Sequence, residues 1–171
     1  MVMGQWASGF AESALGVPKS VGDLAGPCFF AVMMGTSRAL YGKISRRISL
    51  DAWLGVGCVI SLIAYALAAF VPIPAIAFLG CGLCGFGVGA FWPGVLSRAS
   101  ERIPTGGVAM FAILALAGDV GCLTAPSVAG AIAEKSGGDL RAAFCFAMIF
   151  PVLNLCAILW SQRKTRKKRT K

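Results

Sequence analysis

The sequence predicts an all-α fold, a bundle of membrane-spanning helices, and two observations predict it. Hydrophobic residues make up 57% of the chain and charged residues only 13%, about half the share of roughly 25% that is usual in soluble domains. The hydrophobic residues also cluster into five runs, each of the roughly 20 residues that a helix needs to cross a hydrocarbon core of ~30 Å. A chain with so little polar surface cannot cover itself in water, and we expect the lipid bilayer to be its solvent.

The five runs follow one another with short connections, so consecutive helices should be antiparallel neighbours. Proline and glycine mark these connections at residues 71–74, 103–107 and 135–139, where they interrupt helix formation. The predicted spans are residues 24–44, 52–71, 73–96, 108–132 and 140–160, and residues 161–171 form a basic tail.

Residues 1–17 form a shorter apolar stretch that is interrupted by Gln5, Trp6 and Glu12. It lacks the basic start of a signal peptide, and as a helix of ~1.5 Å per residue it is too short to cross a bilayer. We interpret it as the outer part of a membrane helix whose beginning is absent. An interfacial segment is the alternative.

The basic residues predict the orientation. Seven of the 16 Lys and Arg lie in the last nine residues, and basic residues collect on the cytoplasmic side of membrane proteins. We therefore expect a protein of the cell membrane with its C-terminus in the cytoplasm and the segment before residue 24 outside. The tail is expected to meet anionic lipid rather than nucleic acid. One side carries Lys43, Arg46, Arg47, Arg98, Arg102 and the tail, and the other carries Lys19, Lys135 and Arg141.

The reactive side chains argue against an enzyme. The sequence contains no histidine, so the commonest general base, proton shuttle and metal ligand is missing. All seven cysteines lie inside apolar runs, where we expect reduced, packed thiols. Cys81-x-x-Cys84 has the spacing of a redox or zinc half-site, but no second pair accompanies it. We expect no metal and no cofactor.

The third run contains a glycine-rich segment at residues 80–89. Gly80-x-Gly82-x-x-Gly85 matches a dinucleotide-binding fingerprint, but no strand precedes it and no βαβ unit follows. Gly85-x-x-x-Gly89 is typical of membrane helices whose backbones approach closely. We therefore expect helix packing here, with a kink at the following residues 92–94.

Ionisable groups inside apolar runs cost free energy and therefore point to a role. Asp119 lies near the middle of the fourth run, Arg38 in the last third of the first run, and Glu12 in the partial helix. Asp119 and Glu12 either face a water-filled path and bind a cation, a proton or a polar substrate, or Asp119 is a structural charge paired with Arg38 or another basic group of the bundle. Arg38 is expected to be structural or gating. Gly118, Gly121 and Pro126 around Asp119 indicate a helix that can bend.

The loop after the first run resembles the G-x-L-A-D-R-x-G-R-R loop of the major facilitator superfamily. Leu40, Lys43, Arg46 and Arg47 match that pattern, whereas Arg38, Gly42 and Ser45 replace its Gly, Asp and second Gly. Because the Asp is absent, the charge relay of the family's loop is not expected in this chain. The basic cluster of the loop remains, and we expect its residues to be gating or structural. The resemblance implies the C-terminal half of such a transporter, with residues 1–17 as helix 7 and the five runs as helices 8 to 12. It also implies that Gln5, Trp6 and the glycine-rich third run line the substrate path, with Asp119 close by.

Two functions follow from this resemblance. The first is secondary active transport of a small polar solute, in which a missing N-terminal half of six helices supplies the opposite wall of the path. The alternative is a truncated, non-transporting membrane protein or an interaction subunit from a split gene.

Overall fold

In a computed structural model, the chain is described at residues 2–5, 7–8, 12, 16, 18–71, 73–138 and 140–169. These residues contain helices and connecting turns but no strand. We number the helices along the chain. They are α1 (Val2–Gln5), α2 (Lys19–Ile44), α3 (Leu50–Phe70), α4 (Pro74–Val88), α5 (Phe91–Arg102), α6 (Gly107–Lys135), α7 (Leu140–Ala147) and α8 (Ile149–Arg169).

Four helical stretches of the described chain are long and apolar enough to cross a membrane. They are Leu50–Phe70, Ala75–Arg102, Gly107–Lys135 and Arg141–Gln162. The sequence predicts a fifth span at residues 24–44. The corresponding helix α2 is 26 residues long but is not among the four, because polar and charged side chains such as Asp23 and Arg38 dilute its apolar residues.

The predicted partial helix at residues 1–17 lies partly outside the described residues, so the expected count of six helices is not confirmed. The described part contains α1 and helical backbone at Ala7, Ser8 and Glu12. This segment packs on the start of α2, because a Cβ on Gly26 would meet the carbonyl of Ala7 and a Cβ on Gly22 would lie 3.1 Å from Glu12.

Two of the predicted spans are broken, and each break lies just before a proline. The third run divides into α4 and α5 at Gly89–Ala90, and the fifth run divides into α7 and α8 at Met148. Pro93 and Pro151 each occupy the third position of the following helix, where an N–H has no partner in the helix and a proline is tolerated. The break in the third run thus precedes Pro93 instead of coinciding with the predicted kink at residues 92–94.

Helix α4 lies at the centre of the described bundle and packs on both α2 and α3. Small residues allow the close approach, since a Cβ on Gly57 of α3 would meet the carbonyl of Gly87 of α4. Aromatic rings fill the wider gaps. The centroids of Tyr65 and Phe144 lie 6.4 Å apart.

The seven cysteines are all free. Three of them, Cys58, Cys81 and Cys84, are buried at the helix contacts of α3 and α4. The other four are exposed on the helix surfaces. They are Cys28, Cys122, Cys145 and Cys156.

Helix α6 is the least covered of the long helices, and none of its apolar window is buried inside the described bundle. Its exposed side chains include Val108, Ile113 and Leu123. It touches the rest of the chain mainly through Ala129 and Ala133, which are buried in the same cluster as residues of α7. The large apolar surface of α6 must therefore face lipid or another protein.

Candidate functional site

Asp119 lies near the middle of α6 and is exposed on the surface of the described bundle. The described residues provide no ion pair and no hydrogen bond to its carboxylate. The alternative that Asp119 pairs with Arg38 is not seen, because the described hydrogen bonds of Arg38 go to other groups. A carboxylate at this depth needs a proton, a cation or a donor from outside the described chain.

The residue before Asp119 anchors α6 to α5. A Cβ on Gly118 would lie 2.8 Å from the indole ring of Trp92, so the ring packs against the helix at this glycine. Trp92 is the second residue of α5, which places the start of α5 beside the candidate site. A movement of α5 would therefore change the surroundings of Asp119.

Arg38 lies on the side of α2 that faces the end of α4. Its Nε atom donates a hydrogen bond of 2.7 Å to the carbonyl oxygen of Gly89, and its terminal nitrogen lies 3.4 Å from the sulfur of Met34. The guanidinium is thus engaged with backbone at the break between α4 and α5.

The basic loop after α2 is built by a tight turn. The N–H of Ser45 donates to the carbonyl of Tyr41 at 2.8 Å and the N–H of Arg47 to that of Ile44 at 2.8 Å. Lys43, Arg46 and Arg47 are all exposed. As solvated cations they can meet lipid phosphates or a partner chain, but they do not contribute to the site around Asp119.

The same end of the bundle contains an ion pair that is not among the sequence predictions. Asp51 in the first turn of α3 binds Arg98 of α5, which also lies 3.6 Å from Glu101. Arg102 donates to the hydroxyl of Ser161. These contacts join α3, α5 and α8 around an open cavity of about 260 Å³ that Asn154 also lines.

A sequence signal for this ion pair did exist. Ser49 is a typical N-cap, and its Oγ accepts a hydrogen bond of 3.3 Å from the N–H of Ala52. An acidic residue just after such a cap is favoured by the helix dipole. Asp51 and Glu101 are acids on the basic side of the predicted topology, so an ion pair with one of the basic residues there could be expected.

The remaining candidates near the N-terminus are only partly visible. Glu12 is exposed, and its carbonyl accepts a hydrogen bond of 3.0 Å from the N–H of Gly16. Gln5 is the last residue of α1, and its side chain is not described. Trp6 lies outside the described residues. Their part in a substrate path stays a prediction.

Gly85 and Gly89 lie at the contact between α4 and α2. A Cβ on Gly85 would lie 2.5 Å from the carbonyl oxygen of Phe30, and a Cβ on Gly89 would lie 2.7 Å from that of Met34. The backbones of α2 and α4 therefore touch directly along these two glycines.

Among the described residues, no group of three or more His, Cys, Asp or Glu could hold a metal ion. What the chain offers is a carboxylate on an apolar helix, a broken helix beside it, and charged contacts at one end of the bundle.

Comparisons with known proteins give the family. The Major Facilitator Superfamily matches residues 1–171. A multi-drug resistance efflux pump PmrA homolog of Lactococcus lactis subsp. lactis is 32% identical over 132 residues, which are 77% of this chain and 31% of that pump. A second such homolog, from Lactococcus lactis subsp. cremoris, is 34% identical over 113 residues, which are 66% of this chain and 91% of that protein.

The matched part of this chain thus spans about a third of the length of the first relative. No solved structure matches the chain. Because the family match extends over the whole sequence, the chain belongs to the major facilitator superfamily and is a multi-pass membrane protein of a transport family.

Proposed function

We propose that this chain is the C-terminal half of a secondary transporter that exports small polar solutes, with Asp119 binding the positive charge of a solute or a coupling proton. The names of the two Lactococcus relatives support export of drug-like compounds. The glycine-rich segment at residues 80–89 lies inside a membrane span and is therefore no candidate for an ATP site. For that reason we expect an ion gradient to supply the energy for transport.

The observation that carries this proposal is the position of Asp119. It stands on a 29-residue apolar helix, exposed and without an ion-pair partner among the described residues. A bare carboxylate in hydrocarbon is unfavourable by several kcal/mol on most scales, on the order of 3 kcal/mol on the most lenient ones. Retaining it is reasonable only if another charged or protic group approaches it during the transport cycle.

The proposed partner is the missing N-terminal half. The uncovered apolar surface of α6 and the share of the first Lactococcus pump that remains unmatched both support a second set of helices. We place the basic end of the bundle, with the loop after α2 and the tail, on the cytoplasmic side of the cell membrane.

The test uses ethidium as a cationic probe in cells that lack their own efflux pumps. Three forms are compared. They are the chain alone, the chain produced together with the unmatched part of the first Lactococcus pump, and a single chimera in which the chain replaces the matched region of that pump. We expect ethidium efflux from the combined forms and none from the chain alone. Asp119→Asn should lower the initial efflux rate by about 10-fold or more, because the loss of a charge-assisted contact costs at least a factor of that order.

Glu134→Gln is the matched control, since Glu134 lies on the same helix but at its exposed end next to Lys135. It should leave the efflux rate unchanged. Equal rates for Asp119→Asn and the unmodified chimera would contradict the role of Asp119. Efflux by the chain alone would contradict the need for a second half, and efflux from no form would favour the non-transporting alternative.

A further inference from the structure

The break between α4 and α5 leaves one backbone carbonyl without its usual donor. In a continuous helix the carbonyl of Gly89 would accept a hydrogen bond from the N–H of residue 93. Residue 93 is a proline, which has no N–H and whose ring crowds that same carbonyl. The helix resumes one residue later, where the N–H of Gly94 donates to the carbonyl of Ala90 at 2.9 Å.

An unpaired carbonyl is expensive at this place. Gly89 is buried and lies within the apolar stretch Ala75–Arg102, where no water is at hand to satisfy it. The described hydrogen bond to its oxygen comes from a different helix, from Nε of Arg38 on α2 at 2.7 Å. A guanidinium is a strong donor to a carbonyl because its charge assists the bond.

The local packing allows this donor to reach its acceptor. A side chain at residue 89 would collide with α2, since a Cβ there would lie 2.7 Å from the carbonyl oxygen of Met34 and 2.8 Å from Cβ of Ser37. Glycine at this position lets the two helices touch. The Arg38 side chain, one residue beyond Ser37, then lies over the end of α4.

The two sides of the break are held very differently. Helix α4 packs closely on α2 and α3, whereas α5 touches its neighbours at few places. One contact is Trp92 against Gly118 beside Asp119, and another is the ion pair of Arg98 with Asp51. The orientation of α5 therefore depends on how the break itself is fixed.

We propose that Arg38 is a positioning residue that replaces the N–H missing from Pro93, fixes the break between α4 and α5, and so sets the position of Trp92 beside Asp119. The effect on transport rests on the proposed function, but the effect on the break does not. Arg38 acts here as a hydrogen-bond donor to a neighbouring helix and not as the counter-ion of Asp119.

The experiment is a double-mutant cycle on the 171-residue chain in lipid nanodiscs. Arg38→Met removes the donor and should lower the melting temperature by roughly 4–8 °C. Pro93→Ala restores an N–H to the Gly89 carbonyl, so Arg38→Met in the Pro93→Ala background should lower it no further. Lys43→Met is the matched control, because Lys43 is an exposed cation on the same helix.

A second measurement separates positioning from a general loss of stability. Spin labels on Ile63 and Val95 report the position of α5 against α3, and labels on Val56 and Leu79 report that of α4 against α3. All four side chains are exposed. Arg38→Met should broaden the distance distribution of the Ile63–Val95 pair and leave that of the Val56–Leu79 pair unchanged.

Three results would overturn the proposal. The first is that Arg38→Met lowers the melting temperature in the Pro93→Ala background as much as it does in the unmodified chain, or that the double variant fails to fold. The second is equal broadening for both label pairs, and the third is an effect no larger than that of Lys43→Met. If Arg38→Met alone does not fold, recovery of folding by Pro93→Ala supports the proposal. None of these outcomes depends on ethidium efflux, so a failure of the transport proposal would be seen separately.

Discussion

Replacing Gly85 by alanine tests whether direct backbone contact holds α4 against α2. Gly85 is buried, and an added Cβ would lie 2.5 Å from the carbonyl oxygen of Phe30 and 3.2 Å from its carbonyl carbon. Both are backbone atoms of a packed helix, so they cannot swing aside as the end of a side chain could. The two helices would have to separate, since ordinary van der Waals contact begins only at 3.4 Å.

The expected free-energy change combines two opposing effects. Overpacking of a close contact costs about 1–3 kcal/mol, and alanine gains up to about 1 kcal/mol over glycine within a helix. With the full gain of alanine subtracted, the net loss in unfolding free energy is up to about 2 kcal/mol, which lowers the melting temperature by up to roughly 4–8 °C. Gly35→Ala on α2 is the control. Nothing lies within 4 Å of its Cβ position, so it should be neutral or stabilising.

The buried cysteines make the assay possible. A maleimide dye that fluoresces on reaction with thiols would label Cys58, Cys81 and Cys84 only when the contacts of α3 and α4 open on heating, because these three are buried. The four exposed cysteines are first replaced by serine to remove the background. Equal melting temperatures for Gly85→Ala and Gly35→Ala would refute the inference that α2 and α4 touch backbone to backbone.

Two further predictions concern the ends of the helices. Ser49→Ala removes the cap of α3 and should lower the free energy of unfolding by about 1 kcal/mol, measured as a lower melting temperature. Ser100→Ala is the control and should leave the melting temperature unchanged, because that hydroxyl only donates back to the Leu96 carbonyl. Equal losses for the two variants would contradict the capping role. Green fluorescent protein fused after Lys171 should fluoresce in the cell, as expected of a cytoplasmic C-terminus, and alkaline phosphatase at the same place should be inactive; an active phosphatase would reverse the proposed topology.

The apolar runs predicted where long helices lie but not where they end or break. Helix α5 continues to Arg102 and α8 to Arg169, beyond the apolar residues, because the backbone ladder depends on local geometry and not on hydrophobicity. The prolines predict that a helix is interrupted, but the interruption lies several residues before the proline in the chain. A proline removes the donor for the carbonyl four residues earlier, which is that of Gly89 for Pro93 and that of Ala147 for Pro151.

Only those parts of the candidate site could be predicted that a single residue reveals without its neighbours in space. Asp119 could be singled out because a carboxylate is costly within an apolar helix. The pair of Asp51 and Arg98 could not be identified in the same way, since each lies at a helix end where charge costs little. The role of Arg38 depends on which helix passes beside it, and that information is in the tertiary structure alone.

Pro93 and Pro126 lie in different surroundings, and the difference indicates which helix can be controlled from outside itself. In α6, Pro126 lies inside a continuous helix. The flanking hydroxyls of Thr124 and Ser127 donate to carbonyls of their own helix at 2.8 Å and 2.7 Å, an arrangement that bends helices locally. At Gly89 the donor comes from α2 instead. Any shift of α2 therefore changes the break between α4 and α5 directly, whereas the bend of α6 travels with its own helix. For this reason we expect the position of Trp92 beside Asp119 to follow α2, the helix that carries the basic loop.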